Sequence, residues 1–470
     1  MRLAAIGCVA LLVGVGGCSD VGKLAASTGS SAEPAGPPPV EVREGGVAAK
    51  APACAPIDKV KLAPFTCEDA ALPDVPLPAL EDPSGSLAHF YARLAELARG
   101  RAKDHVRVAM YGDSNLTTDE TTGRMRRKLQ ARFGDAGHGF VALARPWPWY
   151  RHSDVRHDGS WRDFRQIAVS THKTYDGHYG FANIASETGS PGAVAFVSTT
   201  PRDADSPIGW KASRFDVFYM KRPDGGRFDL TVDDAVVREV DTRAKDAEAA
   251  FERVDTTDAQ HELKVRIKGH GTVRLFGVAV ERGAPSVVVD ALGTGALNME
   301  QMTLVNRESR RAQLARRGYD LVIIHLGTNM YGTDADHRRT TKVLIEDLRA
   351  ALPDVSILVM SPPDSAEPGT THADPHIAAI APVLRAIAAE NGAAYWDFLA
   401  AMGGSKSIFT FVKKGMAWND YIHLTKPGHE LMADRMLCAL SDGLGTYLAK
   451  HTEAGCTSPR GSAETASPQR

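Results

Sequence analysis

The chain has 470 residues, of which 43% are hydrophobic and 24% charged, and its formal net charge is −2. That is long for one domain and comfortable for two plus a tail, with the composition of a soluble globular protein. The nearly neutral balance carries no electrostatic footprint for a polyanion, so no nucleic-acid partner is expected.

Met1-Arg2 precedes an apolar run from Leu3 to Val15, which leads into Val15-Gly16-Gly17-Cys18. A basic start, a run of this length and small residues before a cut make residues 1–17 a secretory signal, too short to span a bilayer as a mature helix. The ending resembles a bacterial lipobox, which implies that Cys18 is lipid-modified and becomes the new N-terminus. The expectation is an exported, membrane-anchored lipoprotein of the cell envelope, in the periplasm or at the surface. An ordinary signal peptide with an uninvolved Cys18 is the alternative. Residues 18–66, rich in Ala, Gly, Pro and Ser and containing Pro37-Pro38-Pro39, read as a flexible tether. Export permits disulfides. With Cys8 removed and Cys18 lipidated, Cys54, Cys67, Cys438 and Cys456 remain, and the local pairs Cys54–Cys67 and Cys438–Cys456 are the simplest of the possible connectivities.

Order is expected from near Ser86, an N-cap for a helix with Leu87, Phe90, Tyr91, Leu94 and Leu97 on one face, stopped by Gly100. Val106–Tyr111 reads as a strand. Thr117-x-x-Glu120 reads as a capping box for a helix reaching Phe133, whose run Arg124-Met125-Arg126-Arg127-Lys128 suits a solvated face. Val287–Val289, Leu321–Ile324 and Ile357–Met360 are further strands, each followed by a helical pattern; Asp374-Pro375 opens one such helix and Gly392 closes it. Alternating helices and apolar strands imply a parallel sheet covered on both faces. Residues 147–282 break the rhythm with short alternating segments, among them Arg214–Met220, Arg227–Val232, His261–Lys268 and Thr272–Glu281. Asp224-Gly225-Gly226 is a hairpin signal between the first two. The reading is an α/β domain over 67–146 and 283–450, interrupted by a β-sandwich over 147–282 and followed by a frayed tail at 451–470.

Three short motifs fall at predicted strand ends or in the last loop: Gly112-Asp113-Ser114-Asn115, Gly327-Thr328-Asn329 and Asp420-Tyr421-Ile422-His423. Open α/β sheets bind ligands beyond the carboxyl ends of their strands. A serine on a tight turn there is exposed, and its N–H can face a developing oxyanion. It needs a neighbouring base, which His423 can supply, with Asp420 fixing the imidazole tautomer. These blocks resemble those of the SGNH (GDSL-type) hydrolases, a family of three-layer α/β/α, flavodoxin-like esterases and acyl hydrolases. The resemblance covers about 100–145 and 286–440. It implies Ser114 as nucleophile, with Asp420 and His423 completing the triad. It also implies an oxyanion hole made by the Ser114 N–H, the Asn329 side chain and a glycine N–H. Asp290-Ala291-Leu292-Gly293-Thr294-Gly295 follows a strand as the family's glycine block does, and Gly295 is preferred to Gly293. Asn115 replaces the leucine of the GDSL tetrapeptide, at a position that is not catalytic in the family. The chain is most similar to envelope polysaccharide or peptidoglycan O-acetylesterases with a carbohydrate-binding-like sandwich inserted between the serine and glycine blocks.

Competing patterns are weaker. Asn298 stands where GxGxxG needs its third glycine, and Leu116 where GxSxG needs its last. His152, His157, His172 and His178 fit no metal-ligand spacing and read as polar surface; with no CxxC or HExxH, no metal and no cofactor are expected. Trp147, Trp149, Tyr150 and Trp161 suit either sugar stacking or packing between domains. The expected activity is hydrolysis of short acyl esters, acetyl first, on an envelope polysaccharide or peptidoglycan. Acetyl transfer to a sugar hydroxyl, or a carbohydrate-binding lipoprotein with an inactive hydrolase domain, are the alternatives.

Overall fold

The computed structural model describes residues 58–65, 71–161, 163–168, 173–201 and 204–451. The signal, Cys18, most of the tether, the tail, His172 and the cysteines Cys54, Cys67 and Cys456 lie outside them. Cys438, buried in the last helix, is disulfide-bonded; both expected pairings involve residues outside the described set.

Helix α1 (Ala88–Ala98) leads into strand β1 (Val106–Gly112), a single 3-10 turn (Ser114–Leu116) and α2 (Glu120–Phe133). A run of strands follows: β2 (Gly137–Val141), β3 (Arg156–Gly159), β4 (Asp163–Gln166), β5 (Ile184–Thr188), β6 (Val194–Ser198), β7 (Ala212–Lys221), β8 (Arg227–Val232), β9 (Ala235–Asp241), β10 (Glu248–Ala259), β11 (Glu262–Gly269) and β12 (Val273–Glu281). The α/β rhythm then resumes with β13 (Val287–Gly293), α3 (Met299–Thr303), α4 (Arg307–Arg317), β14 (Leu321–His325), α5 (Asp334–Ala351), β15 (Ser356–Met360) and α6 (Pro375–Glu390). β16 (Ala394–Trp396), α7 (Phe398–Met402), α8 (Ser407–Lys413) and α9 (Lys426–Lys450) complete it.

The expected parallel sheet forms in the order β13-β1-β14-β15-β16. Side chains of β1 alternate between its faces. Val106, Val108 and Met110 join Phe90 of α1, Met125 of α2 and Met432 of α9, whereas Ala109 and Tyr111 join Leu314, Leu344 and Leu384 from α4, α5 and α6. Helices therefore cover both faces, as the unbroken apolar strands require. The chain adds β13 on one side of β1 and then β14 on the other. The strand order reverses at β1, which opens a crevice beyond Gly112.

The inserted unit is a sandwich of two antiparallel sheets. One runs β10-β7-β12-β5-β4 with β2 on β12, and the other β3-β6-β11-β8-β9. Val217, Val278 and Val280 of the first meet Val197, Leu230 and Val265 of the second. The first sheet also sends Phe140, Phe218 and Phe276 into the core beside α4 and α5. Because β2 pairs with β12 (Val141 opposite Val278), the sandwich begins at Gly137, ahead of the expected Trp147.

Several local expectations are corrected. β7 and β8 lie in different sheets, so Asp224-Gly225-Gly226 is a crossover and not a hairpin. A Cβ on Gly225 would stand 2.2 Å from the Thr242 carbonyl oxygen and one on Gly226 2.5 Å from that of Gly271, so glycine is what lets these backbones pass. The true hairpin joins β8 to β9 through Asp233 (φ 50°) and Asp234 (φ 68°). Ser86 does not cap α1; the Asp82 carboxylate accepts the Ser86 and Leu87 N–H groups, at 2.7 and 3.0 Å. Thr117 does not cap α2, because its hydroxyl donates to the Ser114 carbonyl at 2.9 Å. The basic run on α2 is not a solvated face. Arg126 is fully buried, bonded to Asp119 and to the Val289 carbonyl, while Arg124 and Lys128 reach Asp434 on α9. Residues 58–65, expected in the tether, pack on the body: the Phe65 N–H donates to Ser441 Oγ at 3.0 Å and the Arg132 guanidinium lies 3.6 Å from the Phe65 ring centroid.

Buried charge joins the two units. Glu281, at the end of β12, pairs with Arg107 of β1 at 2.9 Å and with Arg317 of α4. Arg317 also holds Asp290 of β13 at 2.6 Å, and Asp290 accepts the Phe140 N–H from β2 at 2.8 Å. Burial alone would push the Glu281 carboxyl up; Arg317 and Arg107 outweigh it and hold it well below the usual range. Neutralising Glu281 removes the carboxylate that Arg107 and Arg317 share, leaving Arg317 with Asp290 alone and Arg107 with the exposed Asp104 alone, so Glu281→Gln is expected to cost about 3 kcal/mol in urea denaturation. A change below about 1 kcal/mol would show the network to be solvated.

Candidate active site

The turn after β1 closes because its neighbours are glycines. A Cβ on Gly112 would lie 2.7 Å from that of Leu116, and one on Gly293 2.1 Å from the Leu116 carbonyl oxygen. Asp113 accepts the Asn115 N–H at 3.1 Å and fixes the turn that presents Ser114 at the strand end. Asn115 then ties this turn to the loop before α9. Its Oδ1 accepts the Leu424 N–H at 3.0 Å and its Nδ2 donates to the Ile422 carbonyl at 3.3 Å, on either side of His423. The asparagine that departs from GDSL thus holds the histidine's backbone in place, a role its position in the motif did not signal.

Within that loop, Asp420 Oδ1 accepts the N–H groups of Ile422 at 2.9 Å and His423 at 3.0 Å. Its Oδ2 lies 2.8 Å from His423 Nδ1, and His423 Nε2 lies 2.8 Å from Ser114 Oγ. Tyr421, at φ 58°, turns the chain between them. Burial raises the Asp420 carboxyl, but bonds from the His423 backbone and ring outweigh it and hold it below its ordinary value. The ionised carboxylate keeps the proton on Nδ1, which leaves Nε2 as acceptor for the Ser114 hydroxyl.

Two further residues belong to the expected oxyanion hole. Asn329 follows β14, and its Nδ2 is buried without a hydrogen-bond partner among the described residues. Its carbonyl accepts from Asn298 Nδ2 at 3.2 Å, which steadies the backbone. Buried amide donors are rarely left unpaired, and an oxyanion is a suitable partner. Gly295 lines the cleft with Ser114, whereas Gly293 is buried against Leu116, so Gly295 and not Gly293 is the glycine placed at the site.

The cleft has a volume of about 410 Å³. Of the four aromatics singled out, Trp149 alone lines it. Trp147 and Trp161 are buried, and Tyr150 packs between Trp147 and His157 at 5.1 and 5.0 Å. Four lining residues were not singled out by the sequence: Thr118, Trp418, Leu424 and His429. Trp418 stands two positions before Asp420, which is its only signal. His429 is buried beside Thr121 Oγ1 at 3.0 Å; burial, then the neighbouring His423, pushes it down to about 4. It is therefore uncharged at neutral pH. His152, His157 and His178 are not polar surface but buried: His152 sits 3.4 Å from Asp119, and burial pushes His157 down to about 4. Among the described residues no group of three His, Cys, Asp or Glu is placed to hold a metal ion.

The model of the GDSL-like lipase/acylhydrolase family matches residues 267–431, the stretch holding Gly295, Asn329, Asp420 and His423. The chain carries an SGNH hydrolase domain. The domain is that of a serine esterase. Ser114 lies outside the matched stretch because the sandwich separates β1 from β13, and folding returns it to the other blocks. A solved structure described as "Peptidoglycan O-acetylesterase in action, 5 min" is 24% identical and has a TM-score of 0.64, covering 78% of this chain and 99% of the other. The hydrolase domain thus shares that structure's fold. A family two carbohydrate esterase from Cellvibrio japonicus is 11% identical, over 63% of this chain and 99% of its own, with a TM-score of 0.25. The salicylyl-acyltransferase SsfX3 is 14% identical, over 52% and 80%, with a TM-score of 0.25. No curated protein matches the hydrolase in sequence.

Proposed function

We propose that the protein removes short acyl groups, acetyl first, from a cell-envelope polysaccharide or peptidoglycan. The observation that carries this is the Asp420–His423–Ser114 relay at 2.8 Å per step, and the buried, unpaired amide of Asn329 in the turn after β14 supports it. Ser114 Oγ attacks the ester carbonyl as its proton passes to His423 Nε2. The oxyanion is held by the N–H groups of Ser114 and Gly295 and by Asn329 Nδ2. Collapse of the intermediate expels the sugar hydroxyl, protonated by His423, and water then clears the acyl-enzyme along the same proton path. The cleft walls include Thr117, Thr118 and Asp420, which suit a hydroxyl-rich substrate better than a long acyl chain. The fold shared with a peptidoglycan O-acetylesterase supports the same reading.

The test is acetate release from O-acetylated peptidoglycan, compared with acetylated xylan and aryl acetates, with and without sugar acceptors. Acetate released from a glycan is the expected result. Acetylated acceptor instead of free acetate would make the protein a transferase, and a clear preference for octanoyl over acetyl esters would defeat the glycan reading.

We further propose attachment to the membrane through lipid on Cys18. Among the described residues no helix is long and apolar enough to cross a membrane. A lipoprotein's several acyl chains suffice for stable attachment. Cys18→Ser is expected to shift the exported protein from the detergent phase to the aqueous phase. Unmutated protein recovered in soluble form with an unmodified Cys18 would reject the anchor.

A further inference from the structure

Two of the largest exposed apolar side chains lie in the same cleft as Ser114. Trp149 is 63% exposed and Trp418 is 61% exposed, and both line it. They come from different units: Trp149 from the loop that enters the second half of the sandwich, and Trp418 from the loop of Asp420 and His423.

Neither sits on a loose segment. The Trp147 indole N–H donates to the Thr117 carbonyl at 3.3 Å, the Ser153 N–H donates to Asp119 Oδ2 at 2.7 Å, and Arg151 pairs with Glu120. Trp149 is thus bracketed on both sides by bonds to the segment that follows the nucleophile. The Trp418 N–H donates to the His423 carbonyl at 2.8 Å, and its own carbonyl accepts from Tyr421 at 3.1 Å. Backbones held this way present the indoles to solvent at fixed positions, so little ordering entropy opposes a ligand that covers them. Exposed indoles gathered at a catalytic cleft mark a binding surface.

Resting on the esterase reading above, we infer that Trp149 and Trp418 bind the sugar ring that carries the ester, and that the sandwich thereby sets the preference for glycan over simple esters. The apolar C–H face of a pyranose covers an indole, while Thr118, which also lines the cleft, is placed for its hydroxyl groups. Aryl acetates lack that face, so the contacts act through remote binding energy that positions the acetyl carbonyl at Ser114.

The experiment measures kcat/KM on O-acetylated peptidoglycan and on 4-nitrophenyl acetate for Trp149→Ala, Trp418→Ala, Trp149→Phe and the unmutated protein. The ratio of glycan to aryl activity is expected to fall about tenfold or more in each alanine variant, and to return to within about threefold in the phenylalanine variant. A loss shared equally by both substrates, or no change in either, leaves the ratio intact and overturns the inference. If the unmutated protein releases acetate from glycan while the ratio is intact in the variants, the esterase reading stands and only the tryptophan assignment falls. If the unmutated protein releases none from any glycan, the reading itself has failed and takes this inference with it.

Discussion

Ser114→Ala is expected to abolish aryl-acetate hydrolysis by a factor on the order of 10⁴–10⁶ while leaving the fold intact. The size of the loss follows from the proposed mechanism, in which His423 and Asp420 serve only to move the proton of this hydroxyl, so removing it strands both. The fold is spared because, among the described residues, the Ser114 side chain bonds only to His423 Nε2 at 2.8 Å, and the turn itself is closed by Gly112, Gly293 and the carboxylate of Asp113. A fluorophosphonate should label the unmutated protein at Ser114 and leave the variant unlabelled. A folded variant with near-normal turnover would remove Ser114 from the chemistry.

The parts of this site that were legible in the sequence are those set by local chemistry. Short apolar runs rich in β-branched residues, such as Leu321–Ile324, read as buried strands, and the serine, asparagine and Asp–His blocks stand at strand ends or in the last loop, where such sheets open. What was not legible depends on long-range pairing. Asp224-Gly225-Gly226 has the composition of a hairpin, but its flanking strands find partners in opposite sheets, and its glycines serve a crossing of backbones. Arg126 lies in a run that looks solvated, yet α2 is enclosed by β13 and α9, and burial selects the one arginine that can reach both Asp119 and the Val289 carbonyl. The histidines at 152, 157 and 178 look like surface for the same reason: their neutrality is a product of burial that no local pattern announces. Trp418 and Asn115 sit beside catalytic motifs without belonging to them, and only the folded cleft gives them roles.

Asn329→Ala is expected to lower kcat by 10²–10³, about 3–4 kcal/mol, with KM nearly unchanged. As the proposed oxyanion donor, the amide meets charge that exists only in the tetrahedral intermediate, so its loss is felt in the transition state and not in substrate binding. Stability should move the other way. In the resting protein Nδ2 is buried with no partner among the described residues, and an unsatisfied buried amide costs about 1–3 kcal/mol. Truncation to alanine removes that cost and keeps the backbone bond from Asn298 to the Asn329 carbonyl. The variant should therefore be far slower yet at least as stable, with Tm equal to or above that of the unmutated protein. This opposition separates a preorganised oxyanion donor from the two other roles open to the residue. A substrate-binding asparagine would raise KM and leave kcat alone. A structural asparagine would lower Tm, and with it both kinetic constants, because its amide would be satisfied in the resting fold and its removal would break a bond.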